Sequence, residues 1–231
     1  MLKIRQAFQN LTKFELVLWL CSMLVSTASF LLSPERDLLA LLTSLIGFTA
    51  LIFIAKGYVL GQVLVLIFAT CYGVISYRFA YYGEVLTYLG MSAPVAVFAI
   101  ISWAKNPYRE TAEVKVRQMR RRDFFYLSLL TAAVTVLFHF LLAALGTANL
   151  AVSTVSVATS FFAASLTFLR SPYYALGYTA NDVVLIVLWV LASIKDISSL
   201  PMVACFVMFL ANDLYGFYNW LRIQKKQRAG L

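Results

Sequence analysis

Residues 38–77 read LLALLTSLIGFTALIFIAKGYVLGQVLVLIFATCYGVISY. Lys56 is the single charge in this stretch, and it divides two apolar runs at Ala55-Lys56-Gly57. At 1.5 Å rise per residue each run crosses a hydrocarbon layer about 30 Å thick. A break this short predicts a tight antiparallel hairpin of two membrane helices, with one longer merged helix as the alternative. Working outward, apolar length set against charged and Pro/Gly breaks gives eight spans: 14–32, 38–55, 58–77, 84–104, 124–145, 149–169, 173–194 and 200–221. The break Arg170-Ser171-Pro172 is as short as the first and predicts a second hairpin.

Composition agrees with an all-α integral membrane protein. Of 231 residues, 62% are hydrophobic and 13% charged, whereas soluble domains run at about 45–50% and 25%. The run 14–32 is longer than the apolar core of a cleaved signal peptide and is expected to remain as an extra N-terminal helix. No appended soluble domain is expected. Cys21, Cys71 and Cys205 stand singly inside apolar runs, without metal-site or disulfide spacing, and read as small buried hydrophobes.

A net charge of +9 raises nucleic acid as a partner, but its placement answers otherwise. With the N-terminus inside, Lys3, Arg5, Lys13, Lys56, Lys105, Arg109, Lys115, Arg117, Arg120, Arg121, Arg122, Arg170, Arg222, Lys225, Lys226 and Arg228 fall on the cytoplasmic side. That is 16 of the 19 basic residues; Arg36, Arg78 and Lys195 fall outside. Basic residues gather in cytoplasmic loops, so this bias predicts an even number of spans with both termini in the cytoplasm. The run 115–122 and the tail 222–228 act as topology determinants, and contact with anionic lipid is compatible with that role.

The chain also repeats. A shift of 116 residues lays Thr43, Ser44, Tyr58, Leu60 and Gly61 onto Thr159, Ser160, Tyr174, Leu176 and Gly177, with a basic residue at both hairpins (Lys56, Arg170). Spans two to four and six to eight become two copies, and span five between them restores the starting side, so both copies run in the same sense. Parallel repeats of this kind are a transporter plan with the substrate near the midplane between them. The domains are then 1–37 (N-terminus and extra helix), 38–104 (first repeat), 105–123 (basic loop), 124–148 (inversion helix), 149–221 (second repeat) and 222–231 (basic tail).

Acidic residues inside hydrocarbon cost about 2.5–3.5 kcal/mol each on insertion scales and mark bundle interiors. Asp182 lies nine residues into span seven and Asp213 eight residues from the end of span eight, so both sit about 12–14 Å deep, level with each other. An interhelical pair joining the two spans is the structural alternative. Each acid has an amide beside it (Asn181, Asn212). Tyr174, Tyr178 and Trp189 lie on the Asp182 face, and Tyr215, Phe217, Tyr218 and Trp220 crowd the end of span eight. Stacking faces with fixed donors and acceptors suit a flat heteroaromatic ring carrying a polar arm, and a cationic ring gains further from cation-π attraction. Trp103, Tyr108, Tyr218 and Trp220 read as interfacial belt residues. The first repeat offers Gln62, Tyr72, Ser76, Tyr77, Tyr88 and Ser92. Glu84 reads as a solvated carboxylate at the outer interface with a gate residue as the alternative, Pro94 as a kink that frees the carbonyl of Gly90, and His139 as a core hydrogen bonder with a proton relay as the alternative. No Walker loop, GxSxG elbow or HExxH pair occurs, so no enzyme is expected.

Four stretches of the first half, AKGYVLGQ at 55–62, YGVISY at 72–77, YYGE at 81–84 and SWAKNP at 102–107, resemble the PnuC family of bacterial vitamin transporters. In the second half SPYYALGY at 171–178 with Asn181-Asp182, and NDLYGFYNW at 212–220, are similar to the family's last two core helices. The likeness spans about residues 40–225 and is nearest to the form of Gram-positive bacteria. It implies a SWEET-like arrangement of three, one and three helices plus an extra N-terminal helix, in the bacterial plasma membrane. It also implies facilitated import of nicotinamide riboside, or in other branches thiamine, riboflavin or deoxynucleosides, with trapping by a cytoplasmic kinase. Asp213 matches a family Asn, Phe217 a family Trp, and Tyr178 with Asp182 a family W-x-x-x-N, which leaves carboxylates where amides are usual. The expected substrate site comprises Tyr178, Asn181, Asp182, Trp189, Asn212, Asp213, Tyr215, Phe217, Gln62 and Tyr88. The expected partners are a small-molecule vitamin or nucleoside, the lipid bilayer, the downstream kinase and a homo-oligomeric copy; no nucleic acid, cofactor or metal is expected. Proton coupling through the same acids and a non-transporting membrane scaffold are the alternatives.

Overall fold

A computed structural model describes residues 4–32, 38–78, 82–147, 149–197 and 200–230. Lys3, Arg36 and Tyr81, used above, lie outside the described residues. A short helix, α1 (Ile4–Gln9), precedes α2 (Lys13–Leu32), α3 (Leu38–Ala55) and α4 (Val59–Arg78). Next come α5 (Tyr82–Val85), a π-helical stretch Leu86–Ser92, α6 (Ala93–Ala104), α7 (Arg121–Ala144), α8 (Leu150–Phe168), α9 (Tyr174–Lys195) and α10 (Leu200–Arg228). Eight of these segments are long and apolar enough to cross a membrane. Among the described residues the only extended pairings are two isolated bridges, Tyr58 with Glu113 and Pro107 with Val114.

Helix α4 packs between α3 and α6, and α9 packs between α8 and α10, so each repeat is a three-helix bundle. The bundles meet reciprocally: the first helix of one touches the third helix of the other, α3 on α10 and α6 on α8. The inversion helix α7 packs on α8, and the extra helix α2 on α3 and α10. This is the expected three-plus-one-plus-three plan.

The repeat is visible in backbone detail. Helix α3 ends with Gly57 in the left-handed region (φ 71°), where Gly57 N–H donates to Ile54 O and Tyr58 N–H to Phe53 O. Helix α8 ends with Arg170 at φ 57°, and Arg170 N–H donates to Thr167 O and Ser171 N–H to Leu166 O. Both are Schellman caps, and they set the hairpins as turns rather than continuous helices. Their separation is 113 residues, so three residues are inserted after the second cap and the 116-residue register applies only from the next helix onward. There Gly61 and Gly177 coincide in role. A Cβ on Gly61 would lie 2.5 Å from Ile54 N on α3, and one on Gly177 2.9 Å from the Ala163 Cβ on α8. Small residues permit this backbone approach. Gly61→Val and Gly177→Val are therefore each expected to destabilise the protein by about 1–3 kcal/mol through overpacking, read as a lower melting temperature in detergent.

Three expectations change. Span four is not one kinked helix: Pro94 has no N–H to donate, and the chain widens ahead of it into a π turn in which Ala93 N–H reaches Tyr88 O. Helix α10 runs on past the expected end of span eight at 221 to Arg228, so the basic residues 222–228 continue it as helix. The basic loop is an ordered strap. Val114 N–H donates to Gly57 O (2.9 Å) and Arg117 N–H to Arg170 O (3.0 Å), so the strap ties both hairpin turns together, and Gln227 on α10 grips it through Val116 N–H and Val114 O.

Candidate functional site

Asp182 on α9 and Asp213 on α10 are buried, 3% and 4% exposed, and their carboxyl groups lie close to each other. The site lies between two apolar clusters. On the side of the basic residues are Ile54, Trp103, Leu166, Tyr174, Ala175 and Trp220, with Tyr178 and Phe217 packed against them. On the far side are Phe48, Leu185, Cys205, Phe206 and Phe209, with Phe68 and Trp189 packed against them. Along α10 the succession Phe209, Asp213, Gly216, Trp220 keeps one face, so the carboxyl is enclosed from both ends.

Tyr178 is near both acids, and Tyr88 is near Asp182 and Tyr178. The Tyr88 ring also lies 4.4 Å from the tilted ring of Tyr72 and meets Phe68 edge-on at 6.1 Å, and the Phe68 ring is 6.0 Å from Phe209. Asp182 Oδ2 and Gln62 Nε2 are buried without a hydrogen-bond partner among the described residues. A buried polar atom left unpaired costs about 1–3 kcal/mol, so these two atoms call for a water or a ligand to complete them. Tyr88, Tyr178, Asp182 and Asp213 thus converge, and Gln62 occupies the position in the first repeat that Tyr178 holds in the second.

The other expected residues also have partners of their own within the fold. Asn181 Oδ1 accepts from Thr159 (2.8 Å), Ser160 (2.9 Å) and Ser156 (3.4 Å), a hydroxyl ladder on α8. Asn212 Nδ2 donates to Ser22 on α2 (2.9 Å) and to Met208 O, leaving its Oδ1 unpaired. Tyr215 OH donates to Glu15 (2.6 Å), which also pairs with Lys56 (3.3 Å), so this tyrosine fastens α2. Trp189 belongs to the far apolar cluster, and Phe217 to the basic-end cluster beside Tyr173. Phe68, Phe209 and the α8 hydroxyls were not anticipated. The spacing Ser156, Thr159, Ser160 on one helix face is a signal that could have found the ladder; the phenylalanines carry no signal that separates them from core.

Two belt readings are overturned. Trp103 and Trp220 are fully buried, 5.3 Å apart, and make a reciprocal clamp. Trp220 Nε1 donates to Ile54 O and Asn219 Nδ2 to Ala55 O (both 2.8 Å); Trp103 Nε1 donates to Thr167 O (2.8 Å) and Ser102 Oγ to Phe168 O (2.9 Å). Each repeat's last helix thereby grips the carbonyl end of the other repeat's first helix. Tyr218 is 60% exposed, as a belt residue would be, whereas Tyr108 lies in the strap. Glu84 is not a simple solvated carboxylate: it lines a cavity of about 10 Å³, room for one water, with Thr87, Tyr88, Thr147, Ser153, Ser156 and Ser160. His139 Nδ1 lies 3.0 Å from Thr154 Oγ1, as a core hydrogen bonder does.

A solved structure, "Crystal structure of the Vitamin B3 transporter PnuC", superposes with a TM-score of 0.81, 28% identity and 94% coverage of each chain. A nicotinamide riboside transporter PnuC of Neisseria mucosa is 29% identical over 96% of this chain and 86% of its own length. One from Haemophilus influenzae is 22% identical over 97% of both. A family model described as nicotinamide mononucleotide transporter matches residues 37–222. With that match over most of its length, the chain belongs to the nicotinamide mononucleotide transporter family, and it is a membrane transporter rather than an enzyme.

Proposed function

We propose that the protein carries nicotinamide riboside into the cell by facilitated diffusion, with the two repeats rocking about the Asp182–Asp213 pair. The observation that carries this reading is the enclosed carboxyl pair with unpaired Asp182 Oδ2, flanked by Tyr178 and Tyr88. The riboside has a flat cationic ring and a hydroxylated sugar. Its ring gains from carboxylate and aromatic faces together, while the hydroxyls supply donors for Asp182 and acceptors for Gln62. The family description names the mononucleotide, but a phosphate would enter a site whose charged groups are two carboxyls, and like charges in a low-dielectric interior repel strongly. The names of the two relatives favour the riboside.

In this reading the basic end, with both termini, faces the cytoplasm, and the tryptophan clamp and strap form the cytoplasmic gate. The described arrangement is closed at that gate and around the acids. Trapping of the imported riboside falls to a cytoplasmic kinase that need not touch the carrier.

Titration calorimetry on the detergent-purified protein tests this. Nicotinamide riboside is expected to bind saturably and nicotinamide mononucleotide not to bind, with thiamine, riboflavin and deoxynucleosides run alongside. At 100 times its dissociation constant the riboside should stabilise the fold by about 2.7 kcal/mol. Binding of the mononucleotide at equal strength would overturn the assignment.

A further inference from the structure

A groove of about 540 Å³ opens at the basic end, between the last turns of α10, the α3–α4 turn and the strap. Lys56, Arg222, Lys225 and Lys226 line it, with Glu113 as the only acid of its lining. Two of the cations are neutralised locally, Lys56 by Glu15 at 3.3 Å and Lys226 by Glu113 at 3.9 Å. Arg222 and Lys225 enter no ion pair among the described residues. Other basic residues of this end are used by the fold: Arg109 binds Gly230 O, Arg170 binds Ser102, and Arg117 pairs with Asp123. Nor is Arg222 placed to offset the helix dipole, because that effect is confined to the last turn and α10 continues to Arg228.

We propose that this groove binds the phosphate of an anionic phospholipid headgroup in the cytoplasmic leaflet. The charge is complementary and the volume suits a headgroup. The depth also fits: exposed Tyr218 lines the same groove, and the Arg222 guanidinium lies 5.8 Å from its ring centre. An exposed tyrosine marks the headgroup level, where basic clusters next to a membrane helix attract anionic lipid. Asn219 and Trp220 occupy the same turn of α10, so a bound headgroup holds the helix that carries one arm of the clamp. The inference rests on the membrane orientation proposed above and not on the substrate.

The test compares melting temperatures in nanodiscs of phosphatidylcholine with and without phosphatidylglycerol. The parent is expected to gain several degrees from phosphatidylglycerol. Arg222→Gln with Lys225→Gln should lose most of that gain, while Lys115→Gln with Arg121→Gln, which removes the same charge outside the groove, should keep it. Equal loss in both pairs would reduce the effect to a diffuse surface field and overturn the site, as would an unchanged gain in the groove pair. If inorganic phosphate in phosphatidylcholine discs reproduces the gain, the occupant is soluble phosphate and the lipid assignment fails. A cooperative melting transition at the parental temperature in plain phosphatidylcholine shows that a variant is folded. Should the groove pair not fold, native mass spectrometry of the parent decides: preferential retention of phosphatidylglycerol supports the site, and equal retention of both lipids overturns it.

Discussion

Asp213→Ala and Asp182→Ala are each expected to weaken nicotinamide riboside binding by about 10- to 150-fold, the loss of a charge-assisted hydrogen bond of about 1.5–3 kcal/mol. Each single alanine leaves the other carboxyl buried without its neighbour and lowers the melting temperature, whereas removal of both partners is often close to neutral; the Asp182→Ala/Asp213→Ala double variant therefore supplies the control for folding through its melting temperature. Asp213→Asn separates two roles. If the oxygen acts mainly as an acceptor, the amide retains much of the affinity; if the charge on the ring dominates, the amide behaves like alanine. Calorimetry with the riboside reads all four proteins, and parental affinity in both single alanine variants would remove the pair from the binding site.

The second large effect concerns the clamp. Trp103→Phe with Trp220→Phe deletes both indole donors while retaining aromatic bulk. Ile54 O and Thr167 O each keep a turn hydrogen bond, from Gly57 N–H and Arg170 N–H. The cost is therefore the net value of each lost bond, about 0.5–1.5 kcal/mol, rather than that of a stranded carbonyl. Two such losses favour the inward-open form by about 5- to 150-fold. The readout is labelling of Ala175→Cys, a fully buried position in the same apolar cluster as Trp220, by a membrane-impermeant maleimide from the cytoplasmic side, with Cys21, Cys71 and Cys205 replaced by alanine. Labelling should accelerate by a comparable factor in the phenylalanine background. Equal rates in the two backgrounds would mean that the indoles do not hold the gate.

Apolar length was enough to read eight helices, because membrane thickness leaves little freedom in span length, whereas the two hairpins are decided against merged helices by the caps at Gly57 and Arg170. The acids were legible for the same reason: a carboxyl in hydrocarbon needs a partner, and Asp182 and Asp213 found each other. What the sequence hid were choices among equally polar neighbours. Asn181, Asn212 and Tyr215 stand one or two residues from an acid, but at 100° per residue they point to α8 or α2, where Thr159, Ser22 and Glu15 wait. Trp103 and Trp220 looked interfacial from their position near helix ends, and only the reciprocal packing of the repeats reveals the carbonyls they meet. The strap was likewise hidden, since its pairing is between backbone groups that no side chain announces.

That strap provides a clock. The amides of Val114 and Arg117 lie in a segment without helix or sheet, where deuterium uptake is ordinarily fast, yet each is held by a carbonyl on a different hairpin turn. If the turns separate when the carrier opens inward, both amides are released together, and their correlated isotope uptake counts openings of the unmodified protein without label or substrate.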